Sequence, residues 1–573
     1  MAIKSLKLMA DLETTTDKND LRAWAVCAVD IEKLEIAYLG TDLDAFMQWL
    51  SGMNTKVWIH NLKFDGSFIL DYLLRKGYKW SPSYDKDGNR LPHKTGEFRT
   101  LITDDGLFYS IEVCFQRIDK KHMKKVTFYD SLKKLPFKVA EIAKAFELEE
   151  SKGSIDYKAP RPIGYQLKQE EKEYIVTDCM IPAKALRTQF NEGLVKMTCA
   201  SDAMNQYKKI TGADNFDRWF PVLPIELDAD IRRSYKGGYV YLKPEHKGRR
   251  GLQGVTLDVN SLYPWALYDN LLPWGYPIYF EGFPDQDLDY PLWILHLKCT
   301  FDLKPGHLPT LQLKNNRRFI ETEYLTTSRG RIAGVSENDP VEMWLTNIDF
   351  QLLVDHYDIA NFEPINGFRF KGRRDMFKPY IDYWMHIKET TTGALRQLAK
   401  LMLNSLYGKF AARTMSMTKI PALDPDDDIV SYTYSDLEAR PPIYTAVAAF
   451  TTAYARNKTI RSAQAVYDRF IYADTDSLHL IGTEIPEGLE VHPTKLGAWK
   501  NEGEFTDSKF IRAKTYMETT AKGTKVTCAG MPDNVKEKVT YENFEIGSIF
   551  EGKLVPVTYR GGVILEERTF TIK

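Results

Sequence analysis

Seven acidic residues fall into two sets whose spacing suits metal-assisted phosphoryl chemistry. The first set is Asp11, Glu13, Asp65 and Asp178. If Leu6 to Glu13 is a strand, Leu6, Leu8, Ala10 and Leu12 line one face, and Asp11 and Glu13 share the other. Asp65 follows the strand-like Val57-Trp58-Ile59 in the segment His60-Asn61-Leu62-Lys63-Phe64-Asp65-Gly66. Asp178 stands one helical turn after Tyr174 in the periodic segment from Glu170 to Phe190. Carboxylates from these elements could converge on two hard divalent cations, one activating water and the other, about 4 Å away, stabilising the leaving oxygen of a phosphodiester. Tyr174 is placed to orient that water. Taken singly, an Asp-x-Glu at a strand end is usually solvated surface; the combination carries the reading.

The second set is Asp258 with Asp474 and Asp476. Gly254 to Val259 reads as a strand ending at Asp258, and Asn260-Ser261 as its turn into a helix. Phe470 to Ala473 and Ser477 to Leu480 read as two strands around the turn Asp474-Thr475-Asp476. Such a trio suits phosphoryl transfer, although Asp-Thr-Asp alone is most often just a turn. The segment from Thr391 to Tyr407 predicts a helix with Leu395, Leu398, Met402 and Leu406 on its apolar side, stopped by Gly408. Its other face presents Lys400, Asn404 and Tyr407, a cation for a triphosphate and an aromatic ring for a base. An ordinary amphipathic helix remains the alternative.

The elements that must hold these residues fit an α/β first domain, in which strands alternate with helices, followed by further domains. A length of 573 residues excludes a single small binding module. Lys plus Arg (77) nearly cancels Asp plus Glu (78), so a polyanion would be held by local charge. The six cysteines lie at least 20 residues apart with no zinc-ligand spacing, which fits a reducing compartment. No run of about 18 apolar residues occurs, and Pro441 to Ala455 is too short and too polar to span a bilayer. A soluble, intracellular chain is expected. Basic clusters at 120–125, 314–318 and 369–374 are phosphate-binding or merely solvated.

At this point the residues resemble a known family, the protein-primed family B DNA polymerases of small tailed phages, the phi-29 type. Asp258-Val259-Asn260-Ser261-Leu262-Tyr263-Pro264 resembles motif A. The segment from Lys400 to Gly408 resembles motif B, Tyr472 to Ser477 motif C, and Lys514-Thr515-Tyr516 the KxY motif. Asp11-Leu12-Glu13-Thr14, the segment from His60 to Asp65, and Tyr174-x3-Asp178 are similar to the three proofreading exonuclease motifs. Tyr235-Lys236-Gly237-Gly238 is similar to the YxGG link between the two activities. The resemblance covers nearly the whole chain, with Ala473 where motif C usually has a bulkier residue or Cys.

The resemblance implies an α/β and α+β multidomain fold. It comprises a ribonuclease H-like 3′-5′ exonuclease domain over 1–197 and a right-hand polymerase domain over 198–573. The palm would span 198–307, 363–378 and 441–530, the fingers 379–410 and the thumb 531–573. Terminal-protein regions would occupy 308–362 and 411–440, both of which read as insertions. Asp258, Val259 and Asp476 would hold the polymerase metals with Asp474 in support. Lys388, Lys400, Asn404, Tyr407 and Tyr263, the last as steric gate against a 2′-hydroxyl, would meet the nucleotide. Lys514, Tyr516, Tyr235, Gly237 and Gly238 would contact DNA. Asp11, Glu13, Asp65 and Asp178 would bind the exonuclease metals, assisted by Lys152 and Tyr174. Thr14, His60, Asn61, Phe64, Ser131, Leu132 and Tyr157 would grip the frayed primer strand. Two Mg2+ ions per centre, replaceable by Mn2+, are implied. So are template-primer DNA, deoxynucleoside triphosphates and a terminal protein as primer. The expected setting is the bacterial host cytoplasm, with no membrane contact, as a monomer or a heterodimer with the terminal protein. An exonuclease with a degenerate polymerase module, or a non-catalytic scaffold, are the competing readings. A scaffold would have no reason to keep all seven carboxylates.

Overall fold

A computed structural model describes residues 6–85, 88–119, 122–314, 318–329 and 339–573. Parts of two basic clusters, Lys120-Lys121 and Asn315-Asn316-Arg317, lie outside the described residues. Eight strands form the first sheet: β1 (Leu6–Thr14), β2 (Ala23–Asp30), β3 (Glu35–Gly40), β4 (Thr55–Ile59), β5 (Lys79–Trp80), β6 (Glu97–Ile102), β7 (Phe108–Arg117) and β8 (Met123–Asp130). Their order is β3-β2-β1-β4-β8-β7-β6-β5, with β1, β4 and β8 mutually parallel. Both faces of β1 are covered. Leu8, Ala10 and Leu12 join a core with Phe46, Ile69 and Val113, while Met9 packs with Trp58 and Ile175 on the other side. That second side is roofed by the helix Gln169–Asn191, so the face bearing Asp11 and Glu13 looks toward Asp178.

Strands β9 (Val240–Leu242) and β10 (Gly254–Val259) open a second sheet. A separate four-stranded antiparallel sheet follows, made of β11 (Leu272–Glu281), β12 (Leu292–Leu303), β13 (Val341–Thr346) and β14 (Tyr357–Arg373) in the order β11-β14-β12-β13. The expected insertion 308–362 therefore does not read as a loop. It supplies β13, the helix Asn347–His356 and the first residues of β14, and its far limit falls inside one continuous strand because β14 pairs with both β11 and β12.

The second expected insertion forms a two-part antiparallel ribbon from β15 (Met415–Ser416), β16 (Lys419–Leu423), β17 (Val430–Tyr434) and β18 (Glu438–Ala439). Strands β19 (Phe470–Asp474), β20 (Ser477–Ile481), β21 (Trp499–Arg512), β22 (Thr515–Thr520) and β23 (Gly523–Cys528) complete the seven-stranded second sheet, in the order β23-β22-β21-β10-β20-β19-β9. A last hairpin, β24 (Ile549–Tyr559) with β25 (Gly562–Thr571), ends the chain.

The helix expected over 391–407 runs over Gly393–Ser405, and Gly408 does not cap it. Gly408 lies inside a further helical turn, Tyr407–Phe410, which Leu406 and Phe410 hold down by complete burial in the main core. The apolar run before Ala455 belongs to the helix Thr445–Ala465, which is buried on nearly all sides inside the protein, as a helix without a polar stripe must be. Among the described residues no helix is long and apolar enough to cross a membrane. All six cysteines are buried and unbridged.

The first sheet and the rest of the chain meet at a buried ion pair. Lys134, just after β8, is fully buried and pairs with Asp202 on the helix Cys199–Thr211. Its Nζ also donates to the carbonyls of Leu194 (2.9 Å) and Lys196 (3.1 Å), which fixes the connecting segment.

Two candidate acidic centres

In the first centre, ligand oxygens of Asp11, Glu13 and Asp178 all lie within 4.8 Å of one another. Asp65, in the first turn of the helix Leu62–Arg75, stands beside them and accepts from the Leu12 amide at 3.2 Å. Burial, and then the Asp178 carboxylate, push Asp11 up to about 7. Burial, then Asp11, Asp178 and Asp65, push Glu13 up to about 9. Burial and Asp11 hold Asp65 well above the usual carboxylate range. Lys152 opposes this, its Nζ donating to Asp178 Oδ2 at 2.5 Å, while Asp178 Oδ1 is buried with no protein partner. One ammonium group cannot neutralise four carboxylates. An all-oxygen donor set with an orphaned buried oxygen fits a hard divalent cation such as Mg2+ or Mn2+. The Tyr174 hydroxyl completes this wall, 2.7 Å from that of Tyr157.

The proposed strand-binding residues border the same place. Thr14 ends β1 and is buried, Phe64 packs on Phe68, and Tyr157 stands half exposed. Asn61 adopts a left-handed conformation (φ 66°) that turns the chain from β4 into its helix. His60 offers no free ring nitrogen, because Nδ1 lies 3.0 Å from Ser131 Oγ and Nε2 lies 2.8 Å from the Phe137 carbonyl. It therefore fixes Ser131, and Leu132 follows half-buried.

In the second centre, β10 delivers Asp258 opposite Ser477 of β20. The β19–β20 turn passes through Thr475 at φ 62°, and the Val259 amide donates to the Asp476 carbonyl at 2.7 Å, tying strand end to turn. Burial, then Asp476, push Asp258 up to about 7, and burial, then Asp474, raise Asp476. Asp474 has partners of its own. It accepts from Lys514 Nζ at 2.6 Å and from the Tyr472 hydroxyl at 3.2 Å, leaving Asp258 and Asp476 as the charge-sharing pair. Val259 is buried through its side chain, so its carbonyl is the group it can offer to a cation.

Next to this pair, Tyr263 and Tyr407 stack with ring centroids 4.0 Å apart. Lys388, on the helix Lys378–Thr390, donates to Ser261 Oγ at 2.9 Å. Burial, then Arg396 and Lys400, hold its ammonium below the ordinary lysine value, as expected where like charges gather. Lys400 and Asn404 are exposed on the neighbouring helix. Before β9, a Cβ on Gly238 would come within 2.6 Å of the Thr475 side chain, and the Thr475 amide donates to the Tyr239 carbonyl at 2.7 Å. Tyr235 packs on the main core beside it.

The family model described as DNA polymerase type B, organellar and viral, matches residues 49–163 and 159–492. The chain is a type B DNA polymerase. It is 43% identical to the DNA polymerase of Bacillus phage phi29, over 98% of both chains, and 34% identical to that of Streptococcus phage Cp-1, again over 98% of both. The solved structure of phi29 DNA polymerase complexed with primer-template DNA superposes with a TM-score of 0.92 at 41% identity, covering 99% of this chain and 100% of that one. The ternary complex of the same enzyme with incoming nucleotide gives 0.91 at 42% identity.

Three features of this polymerase's centres were not evident in the sequence. Asp130, buried at the end of β8, accepts from the amides of Asn61 (3.1 Å), Leu62 (3.3 Å) and Leu132 (3.0 Å), and so sets the turns after β4 and β8 at once. Its only sequence signal is an Asp at a strand end followed by Ser. Glu502 and Lys500, paired at 2.6 Å on β21, act on the charge of Asp258 from opposite directions. Arg456 forks onto Asp349 (2.8 and 2.9 Å) and also donates to the carbonyls of Lys236 (2.9 Å) and Gly237 (2.8 Å), clamping the glycine joint.

Proposed function

We propose that this polymerase copies a linear phage genome from a protein primer and removes misincorporated nucleotides at its first acidic centre. The carrying observation is that one chain holds two separate carboxylate clusters, one drawn from Asp11, Glu13, Asp65 and Asp178 and one from Asp258 and Asp476, the latter near Lys388 and the Tyr263–Tyr407 stack. On this reading the first unit is the 3′-5′ exonuclease domain. The second sheet with β11, β12, the end of β14 and the helix Thr445–Ala465 is the palm, 379–410 are the fingers, 308–362 and 411–440 are the terminal-protein regions, and the final hairpin belongs to the thumb.

When bound, divalent cations would supply charge neutralisation at both centres and activation of water at the first. Asp11, Glu13, Asp65 and Asp178 would hold them at one centre, and Asp258, Asp476 and the Val259 carbonyl at the other. The chain's own residues do the rest. Tyr174, braced by Tyr157, orients the attacking water, and Lys152 holds Asp178. Lys388 and Lys400 take the triphosphate, and Tyr407 packs on the new base pair once its ring parts from Tyr263. Lys514, in the turn before β22, and Tyr516 of β22 steady the primer end. Type B membership supports divalent cation use; magnesium as the ion, and terminal protein as the primer, belong to the proposal.

The ribbon β15–β18 supports strand separation without a helicase. It docks on the first unit through Val430, Leu423 and Tyr432, and its turn residue Asp428 meets Arg75 (2.9 Å) and Arg560 (3.3 Å), the latter from the tip of the final hairpin. A cavity of about 1350 Å3 lies between ribbon and first sheet, bordered by Trp80, Arg90 and Arg99 on one side and Thr418, Ile420 and Arg440 on the other. A single template strand threaded there would leave its complement outside. Each base-pair step opened costs on the order of 1.4 kcal/mol, within reach of one nucleotide addition. The test is a primed template with magnesium and four nucleotides, together with a terminal-protein preparation and one labelled nucleotide. Extension and label joined to protein are expected; a folded enzyme that gives neither overturns the reading.

A further inference from the structure

In the second sheet, β20 and β22 are not neighbours, since β10 and β21 lie between them. At a strand spacing of about 4.8 Å, three intervals put their side chains roughly 14 Å apart in a flat sheet. Yet His479 Nδ1 of β20 lies 2.6 Å from Glu518 Oε1 of β22, and both residues are buried. The sheet reaches this by rolling. Register shifts interrupt β21 against both neighbours, at Thr256/Leu257 of β10 and at Phe505/Asp507 and Phe510/Arg512 of β21 itself, and such irregularities bend and twist a strand.

Aromatic rings fill the roll. His479 lies 5.4 Å from the ring of Tyr472, its cross-strand partner, 5.4 Å from Phe510 and 5.2 Å from Tyr516. Tyr516 and Glu518, two residues apart on β22, share a face, as do Tyr472 and Asp474 on β19. The Tyr472 hydroxyl closes the rim, accepting from the Lys514 amide at 2.8 Å. A carboxylate buried among aromatic rings is costly unless bonded, so the His479 contact fixes where β22 can lie.

We propose that His479 and Glu518 are a positioning pair that sets the primer-terminus strand, with Lys514 and Tyr516, over the β19–β20 turn. The inference rests on the reading of Lys514 and Tyr516 as primer-end ligands. His479 and Glu518 are both buried, so each acts through Tyr516 and Tyr472. The pair should therefore govern affinity for the primer end and leave the chemical step nearly alone.

The test uses the full chain with primer-template and Mg2+, measuring kcat and KM for primer-template, with degradation of single strands as a control for folding. Glu518→Met and His479→Gln should each raise KM about ten-fold, corresponding to about 1.4 kcal/mol, while kcat changes by less than about two-fold. Glu518→Gln keeps an acceptor and His479→Asn keeps a nitrogen near the Nδ1 position, so both should stay close to the parent. If Glu518→Met fails to fold, His479→Gln carries the test. Tyr516→Ala runs alongside. If it raises KM but the pair variants do not, the positioning role is overturned alone; if it leaves KM unchanged, the primer-end reading falls first and the pair with it. Variants that lower kcat, single-strand degradation and melting temperature together would reduce the pair to general fold support and overturn the proposal.

Discussion

Tyr263 and Tyr407 lie face to face, 4.0 Å between centroids and 19° between planes, although they come from different helical segments separated by more than a hundred residues. On the proposed reading the stack occupies the place of the nucleotide's sugar and base, and a nucleotide would part the rings as it binds.

Tyr263→Val should therefore admit ribonucleotides. Removing the ring opens room for a 2′-hydroxyl, and discrimination in competition assays should fall by about two orders of magnitude, within the roughly 3 kcal/mol that a close steric contact can contribute. Unchanged preference for deoxynucleotides would assign the gate to another side chain.

The two centres are separate in space and charge, so they should be separable by mutation. Asp258→Ala or Asp476→Ala is expected to abolish primer extension and preserve degradation of single strands; Asp11→Ala combined with Asp65→Ala should do the reverse. A folded variant that loses both activities contradicts the assignment.

A pH dependence follows from Asp11 and Asp258, each pushed up to about 7 by burial first and neighbouring carboxylates second. An unfolded aspartate ionises near 4. In metal-free protein these carboxyls stay protonated in the fold where the unfolded chain has already ionised. The stability they contribute is therefore complete below about pH 4 and is lost as pH rises through about 7. Cations favour the ionised forms. Melting curves in chelator and in Mg2+, from about pH 5 to about pH 8, should diverge as pH rises. Parallel curves would argue against these carboxylates as the cation's ligands.

Removing Met415 to Leu437 deletes most of the ribbon, including its Asp428 anchor. Gap filling on single-stranded template should persist, while synthesis should stall at a downstream duplex and give short products. A deletion variant that still copies a primed circle many times over without helper proteins excludes the ribbon from strand separation.

The sequence made the local parts legible. Alternation in β1 placed Asp11 and Glu13 on one face, and the turn at Asp474-Thr475-Asp476 is the hairpin its flanking strands suggest. Periodicity found the Gly393–Ser405 helix but misjudged its end, because burial of Leu406 and Phe410 overrides the usual stop signal of Gly408. Within the stretch 308–362, basic and turn residues hide β13 and the start of β14, whose strand partners lie on β11 and β12. Glu502 and the His479–Glu518 pair leave no local trace, and Asp130 leaves only an Asp-Ser at a strand end. Each acts on residues brought close only by the sheets, and a single acidic residue on a strand is indistinguishable from surface until its neighbours across the sheet are known.

The junction built on Lys134 bears on how an error is corrected. Removing one partner of a buried ion pair costs about 3–5 kcal/mol, and this pair is reinforced by two carbonyls of the connecting segment. The connection thus resists bending at that point, and on the proposed reading it is the DNA that travels between the centres. How soon a strand end arrives at the first centre is then set by how readily its last base pairs open, so a mismatch, which weakens those pairs, shortens its own wait.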